Sequence, residues 1–144
     1  MARPSLKLDL PDAIERREIL AGRRKGIDLD RLGERYLAAG WLCDAIECFE
    51  ASGNRDRLME LVPLVAERDI FLLQRLSRMP GVVVSKDDWM RAGNKALEDG
   101  RNLQAVIALD AAGDKERAAQ ARARAEALRA EIKPPEPRHG AGWA

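Results

Sequence analysis

Two stretches of the chain, sixty residues apart, share the same order of glycines, small residues and apolar residues. Residues 33–57, GERYLAAGWLCDAIECFEASGNRDR, align without a gap on residues 93–117, GNKALEDGRNLQAVIALDAAGDKER. Seven positions are identical, and three of them are glycines at matching places. Internal similarity at a fixed spacing is typical of repeat architectures, in which each copy forms the same local structure. The repeat therefore predicts that the chain builds one motif twice.

Each copy has the pattern of a helix, a tight turn and a second helix. In the first copy, apolar residues recur at helical spacing before Gly40 and again over residues 42–49. Gly40 stands where a helix can end in left-handed backbone, and Gly53 ends the second helix in the same way. Short polar residues that precede a helix can cap its free N–H groups. The predicted caps are Asp28, Asn54, Ser85 and Asp114.

Small residues inside the two helices of each copy indicate close packing. Glycine within a helix costs about 1 kcal/mol relative to alanine, so a repeated helical glycine needs a compensating contact. We expect Gly33 to face Ala45 in the first hairpin and Gly93 to face Ala105 in the second, which lets the helix axes approach closely.

The rest of the chain is also predicted to be helical. An N-terminal helix is expected over residues 11–22, and a degenerate repeat unit over residues 54–84, in which Pro63 should kink or end the first helix. Three valines at 82–84 have no partner strand in the sequence and are expected to form an extended connector. A long last helix should run from Asp114 to about residue 132.

The domain is expected to span residues 1–133, followed by a disordered tail over residues 134–144 that contains three prolines. The composition supports an all-α fold, because Ala, Leu, Arg and Glu dominate and are strong helix formers. The hydrophobic share of 46% is enough to build a core. No apolar run is long enough to span a membrane, and the first residues lack the apolar segment of a signal peptide.

The residues that enzymes and metal sites need are scarce. The one histidine, His139, lies in the expected tail, and no glycine-rich phosphate loop is present. Cys43 and Cys48 lie five residues apart on a predicted helix, so they point in different directions and cannot bridge one another. Free thiols of this kind favour a reducing cytoplasm. We therefore expect no enzymatic activity, no cofactor and no metal, and a cytoplasmic location.

The repeated positions resemble those that define a tetratricopeptide repeat. The family's 34-residue unit has a large apolar residue, then Leu-Gly and Tyr, in its first helix, then Gly at the turn, and Ala, an aromatic residue and Ala in its second. The first copy places Leu29, Leu32, Gly33, Tyr36, Gly40, Ala45, Phe49 and Ser52 at these positions. The second places Trp89, Ala92, Gly93, Ala96, Gly100, Ala105, Leu109 and Ala112 there. The family's terminal proline is replaced by Arg57 and Arg117.

The resemblance implies a right-handed solenoid of about three helical hairpins with a flanking helix at each end, and a role as a protein-interaction module. In that family, ligand peptides lie in a groove lined by the first helix of each hairpin. The matching positions in this chain are Asp30, Glu34, Leu37, Met90, Asn94 and Leu97. An acidic or mixed groove favours a basic or amphipathic partner, whereas an ordinary solvated face remains the alternative.

Nucleic acid and a second copy of the chain are the alternatives to a protein or peptide partner. The net charge of +1 gives no global attraction to nucleic acid, so binding by the basic segments 16–25 and 122–129 is the alternative function. Self-association is a further alternative, and no membrane partner is expected. Trp89 is expected in the core. Trp41 is expected to join the core or partly cover it, with an exposed contact residue as the alternative. The outer face of the last helix, with Arg122, Arg124 and Arg129, should be solvated.

Overall fold

A computed structural model describes residues 10–132, which form eight α-helices and, over that range, no strand. Helix accounts for 75% of these residues, which confirms the predicted all-α class. The helices are α1 Ala13–Leu20, α2 Leu29–Ala38, α3 Leu42–Ser52, α4 Arg55–Arg68, α5 Ile70–Ser77, α6 Lys86–Glu98, α7 Asn102–Ala112 and α8 Lys115–Glu131. The tail predicted for residues 134–144, with His139 and Trp143, lies outside the described residues.

The chain divides into two compact units, which we call unit 1 (up to Asp88) and unit 2 (from Trp89 onward). Unit 1 contains α1 to α5, and unit 2 contains most of α6 together with α7 and α8. In unit 1, α2 packs on α3, α3 on α4, and α4 on α5. In unit 2, α7 packs on α8, and Ala96 of α6 joins their apolar core. Each repeat copy thus forms one helical hairpin and the beginning of a third helix.

The predicted caps are all present. The side chains of Asp28, Asn54 and Asp114 each accept a hydrogen bond from the backbone N–H three residues later, at 3.1 Å. Ser85 and Asp88 cap α6 reciprocally, since Ser85 Oγ accepts from the Asp88 N–H at 3.1 Å and Asp88 Oδ2 accepts from the Ser85 N–H at 3.2 Å. These bonds satisfy N–H groups that a helix start leaves without a partner, and so fix where the helices begin.

The turns of the two copies have the same backbone. Gly40 and Gly100 adopt φ values of 80° and 72°, and Gly53 and Gly113 adopt 73° and 82°. This left-handed conformation suits glycine because it has no Cβ, and it stops each helix at the same place in both copies.

The side chain nearest to Gly33 is Phe49 rather than the expected Ala45, and the side chain nearest to Gly93 is Leu109 rather than the expected Ala105. A Cβ on Gly33 would lie 2.7 Å from Phe49 Cε1, and a Cβ on Gly93 would lie 2.8 Å from Leu109 Cδ2. In an antiparallel hairpin, residues at equal distances from the turn meet. The turn lies between Ala38 and Leu42, and the exact register of the two helices across it decides which side chain Gly33 meets. The expected close packing is present, but against a large side chain.

Two further boundaries differ from expectation. The first helix is shorter than residues 11–22, because Asp12 accepts hydrogen bonds from two backbone N–H groups and fixes the start of α1 at Ala13. Of the two outcomes expected at Pro63, a kink or a helix end, the helix end is wrong, since α4 continues to Arg68. Pro63 and Met59 are both exposed, so water can solvate the carbonyl that the proline leaves without its N–H donor. The three valines at 82–84 form the expected connector without a strand.

The prediction for Trp89 is confirmed, and Trp41 combines the two alternatives given for it. Trp89 is buried in unit 2. Trp41 is 50% exposed and stacks on the fully buried Tyr36, with ring centroids 5.9 Å apart, so it partly covers the core of unit 1.

Substituting Gly33→Ala is expected to lower the free energy of unfolding by up to about 2 kcal/mol. Overpacking a core costs about 1–3 kcal/mol, and this exceeds the gain of about 1 kcal/mol that alanine gives a helix. Urea denaturation followed by far-ultraviolet circular dichroism measures the change. In a Phe49→Ala background the penalty should shrink, because the side chain that the new methyl group meets is gone. A Gly33→Ala chain that is more stable than the wild type would contradict the close approach.

Candidate functional site

The predicted groove residues of α2 are held by contacts within unit 1. Arg57 donates two hydrogen bonds to Glu34, from Nε at 2.7 Å and from Nη2 at 3.0 Å, and a third to Glu60 at 2.7 Å. Asp30 accepts a hydrogen bond from the Ser52 hydroxyl at 2.5 Å. Leu37 is half-buried. The carboxylates of Asp30 and Glu34, which were predicted to attract a binding partner, therefore already accept hydrogen bonds from side chains of unit 1.

Unit 2 repeats this contact at the equivalent positions. Arg117 Nη2 donates a hydrogen bond to Asn94 Oδ1 at 2.7 Å. Arg117 and Asn94 lie sixty residues after Arg57 and Glu34. In both units, an arginine in the first turn of the helix after the hairpin, α4 or α8, thus binds the middle of the first hairpin helix, α2 or α6. Sequence reasoning treated the two arginines only as departures from a proline pattern, although their identity in both copies could have indicated a shared contact.

The remaining two candidates, Met90 and Leu97, are partly buried and pack against the core of unit 2. That core consists of Ala96, Ala105, Val106, Leu109, Ala118 and Ala121. The structure thus brings Met90, Asn94 and Leu97 together on α6, as it brings Asp30, Glu34 and Leu37 together on α2. Two of the α6 residues contribute to packing as well as to the surface.

Charge on the α2 face is partly balanced by Arg57, which binds two carboxylates. Hydrogen bonds to Glu34 and then to Glu60 raise the pKa of the Arg57 guanidinium, so it stays positively charged beside both carboxylates. Glu34 and Glu60 remain half or more exposed, and a partner can reach them. A basic partner would have to compete with Arg57 for these carboxylates. The face is therefore mixed in charge rather than acidic.

An apolar groove lies between α7 and the second half of α8, within unit 2. Three large apolar side chains line it while facing solvent: Leu103 is 68% exposed, Leu128 is 53% exposed and Ile132 is 75% exposed. The groove encloses about 530 Å³, and its other lining residues are Arg122, Ala125, Glu126 and Arg129. We call this surface the α8 groove. Arg122, Arg124 and Arg129 are exposed as predicted, but sequence reasoning missed the apolar residues beside them.

Three arginines of the two basic segments form ion pairs. Arg16 binds Asp44 and Glu47, Arg24 donates a hydrogen bond to Glu18 at 3.0 Å, and Arg122 lies 3.4 Å from an oxygen of Asp110. Each carboxylate lowers the positive potential that would attract a phosphate backbone.

Both cysteines are free thiols, with Cys43 exposed and Cys48 buried. Burial raises the pKa of the Cys48 thiol to about 11, because the thiolate is poorly solvated there. Over residues 10–132, no cluster of three or more histidine, cysteine or acidic residues is arranged to hold a metal ion.

Comparisons with known proteins do not place the chain in a family: no family model, no curated protein and no solved structure matches it. Among the described helices, none combines the length and the apolar character needed to cross a bilayer. The function of the chain is therefore inferred from the geometry of the two units.

The Arg57–Glu34 and Arg117–Asn94 contacts should differ in their response to salt. Double-mutant cycles with alanine are expected to give coupling energies of about 0.5–1 kcal/mol for each pair at low ionic strength. In 1 M salt, the coupling of the charged pair should fall by more than half, whereas that of Arg117 with the neutral Asn94 should change little. Urea denaturation of the single and double variants gives both values. Zero coupling for both pairs at low salt would show that these contacts contribute nothing to stability.

The two thiols should react at very different rates. With a pKa of about 11, roughly one Cys48 thiol in a thousand is ionised at pH 8, and the side chain is also buried. We expect Ellman's reagent to modify Cys43 within minutes and Cys48 only in denaturant, with Cys43→Ser and Cys48→Ser chains to assign the signals. Equal rates for both thiols in the folded protein would contradict the burial of Cys48.

Proposed function

We propose that this chain is a protein-interaction module built from tetratricopeptide-like helical hairpins, acting as an adaptor or as a small subunit of a larger assembly. It binds a peptide or a partner helix on its repeat surface. An arrangement that occurs in both units supports this proposal. It consists of a helical hairpin, left-handed glycines at its turns, and an arginine of the following helix that binds the first hairpin helix. A rigid helical repeat of this kind presents side chains to partners without rearranging.

The observation that carries the proposal is the exposure of large apolar side chains on helices that are otherwise well packed. In unit 1, half of the Trp41 surface faces solvent while its ring rests on Tyr36. In unit 2, Leu103 and Leu128 line an apolar groove. A tryptophan held in place by a buried ring loses little conformational freedom on binding, and such residues dominate the energy of many interfaces.

The six residues predicted on α2 and α6 form part of the proposed surface. Glu34 and Asn94 are exposed and bonded to arginines, so a basic group of a partner can compete with Arg57 for Glu34 or with Arg117 for Asn94. Binding would then replace a hydrogen bond within the unit by one to the partner. The free thiols of Cys43 and Cys48 support a reducing compartment such as the cytoplasm for this module.

Capture with the tagged full chain tests the proposal. A protein retained by the wild type would be purified and its affinity measured by calorimetry for the Trp41→Ala chain and for an Asp30→Lys, Glu34→Lys, Asn94→Ala chain. We expect at least one of these to bind about tenfold more weakly, as for the loss of an interface anchor. Ile14→Ala, which shortens an exposed side chain of α1, is the matched control and should bind as the wild type does.

Two outcomes would overturn this function. One is that the wild-type chain retains no protein that binds it again after purification. The other is that the captured material is nucleic acid and is released by moderate salt, which would favour the basic segments as the binding site. Circular dichroism of each variant establishes that it is folded before its binding is compared.

A further inference from the structure

The first helix of unit 1, α1, is held in place by few contacts. It has eight residues, and Ile19 is the one that is buried. An open cleft of about 660 Å³ lies between α1 and α2, with Ile19 and Leu32 among the residues that line it. A helix this short is not stable by itself in water. α1 therefore depends on its contacts with the rest of unit 1 to stay folded.

The segment that joins α1 to α2 allows α1 to move while α2 stays in place. All residues from 21 to 28 are exposed, so the segment contributes no buried side chain to unit 1. Gly22 and Gly26 adopt φ values of 71° and 79°, and a Cβ on either would meet no atom within 4 Å. Arg24 of this segment binds α1 itself, donating a hydrogen bond to Glu18 at 3.0 Å.

Two ion pairs of Arg16 close α1 onto α3. Arg16 binds Asp44, and its Nη2 lies 3.0 Å from an oxygen of Glu47. The three side chains are between 22% and 31% exposed, so dissolved salt still reaches and screens these pairs. Arg75 of α5 lies 3.5 Å from the other carboxylate oxygen of Glu47, which therefore keeps an ion pair when α1 moves away.

Two polar side chains are buried where Arg16 meets α3. Cys48 follows Asp44 by one helical turn, so both lie on the same face of α3, and Cys48 is fully buried. Burial raises the pKa of the Cys48 thiol and of the Tyr36 hydroxyl, and the nearby charge of Arg16 opposes both shifts. Among the described residues, the Tyr36 hydroxyl has no hydrogen-bond partner. Its burial therefore costs free energy that contact with water would recover.

We propose that α1 is a hinged cover of α3. The ion pairs of Arg16 hold it closed, and it opens while α2 to α5 stay folded, which makes Cys48 and the Tyr36 hydroxyl accessible. Opening breaks two screened ion pairs and exposes one buried isoleucine, whereas unfolding of the whole unit would also expose the core of α2 to α5. Salt then controls access to the Cys48 thiol. The cover acts in the free chain, whichever surface binds a partner.

The Cys48 thiol itself reports the opening. In a Cys43→Ser chain, the parent of the variants below, it is the one thiol present. Ellman's reagent is an anion that Asp44 and Glu47 repel, so the probe is dithiodipyridine, an uncharged disulfide. The Cys48 thiolate attacks this disulfide, forms a mixed disulfide with one half and releases the other as a thiopyridone, whose absorbance is followed over hours.

Salt and the loss of Arg16 should have the same effect. We expect 1 M sodium chloride to raise the rate of the parent by about three- to tenfold, as for the loss of two partly exposed ion pairs. The rate of the chain unfolded in urea, measured at both salt concentrations, corrects for any effect of salt on the thiol. The Arg16→Ala chain should show the same increase at low salt and respond little to added salt.

Two further variants separate the ion pairs from the helix that carries them. Arg17→Ala is the matched control, because it removes an exposed arginine from the same helix and should react as the parent does. Ile19→Ala removes the buried anchor of α1 and should raise the rate by about tenfold or more. Circular dichroism and the urea midpoint of each variant establish that the rest of the chain is folded.

The urea dependence of the parent's rate distinguishes opening of α1 from global unfolding. Adding 1 M urea should raise the rate by less than about twofold if α1 alone opens, because little surface is exposed. Reaction through global unfolding would be accelerated at least about fivefold. The inference is overturned by that larger acceleration, by equal rates for the Arg16→Ala and Arg17→Ala chains, or by a parent rate that 1 M salt leaves unchanged.

Discussion

The close approach of two helices at a glycine is the contact on which each unit depends. At Gly33 and at Gly93, the space that a Cβ would occupy is taken by the side chain of the facing helix, Phe49 or Leu109. This contact sets the spacing of the hairpin and buries Phe49 and Leu109 completely. A left-handed glycine and an Asn or Asp cap then lead the chain into α4 or α8 in the same way in both units. Arg57 and Arg117, in the first turn of these helices, thereby reach the residues that follow Gly33 and Gly93.

The two units differ in how the helix after the hairpin continues, which is α4 in unit 1 and α8 in unit 2. The α4 face of unit 1 is apolar and buried, and α5 packs on that helix. The α8 face of unit 2 keeps two buried alanines near its start, Ala118 and Ala121, and then becomes exposed. One architecture thus yields a closed surface and an open one within a single chain. An open apolar surface bordered by charge is the kind of feature that proteins use to recognise one another.

Much of the fold could be predicted from local chemistry. Asp28, Asn54 and Asp114 act within one turn of helix, so a sequence pattern is sufficient to find them. Gly33 was correctly expected at a close contact, but its partner depends on where the turn is centred. The continuation of α4 through Pro63 depends on which side of the helix faces solvent. The bonds from Arg57 and Arg117 and the α8 groove join residues distant in sequence, so only the three-dimensional structure shows them.

Hydrogen exchange along α4 and α8 tests most directly whether one unit is closed and the other open. In the free chain at low concentration, amide protection should persist in α4 to about residue 68. In α8 it should fall by about tenfold or more between residues 118–121 and residues 128–131, because exposed helix ends open locally. That contrast would support an unoccupied α8 groove. Equal protection along both helices would contradict it and would mean that the second half of α8 is already covered in the free protein.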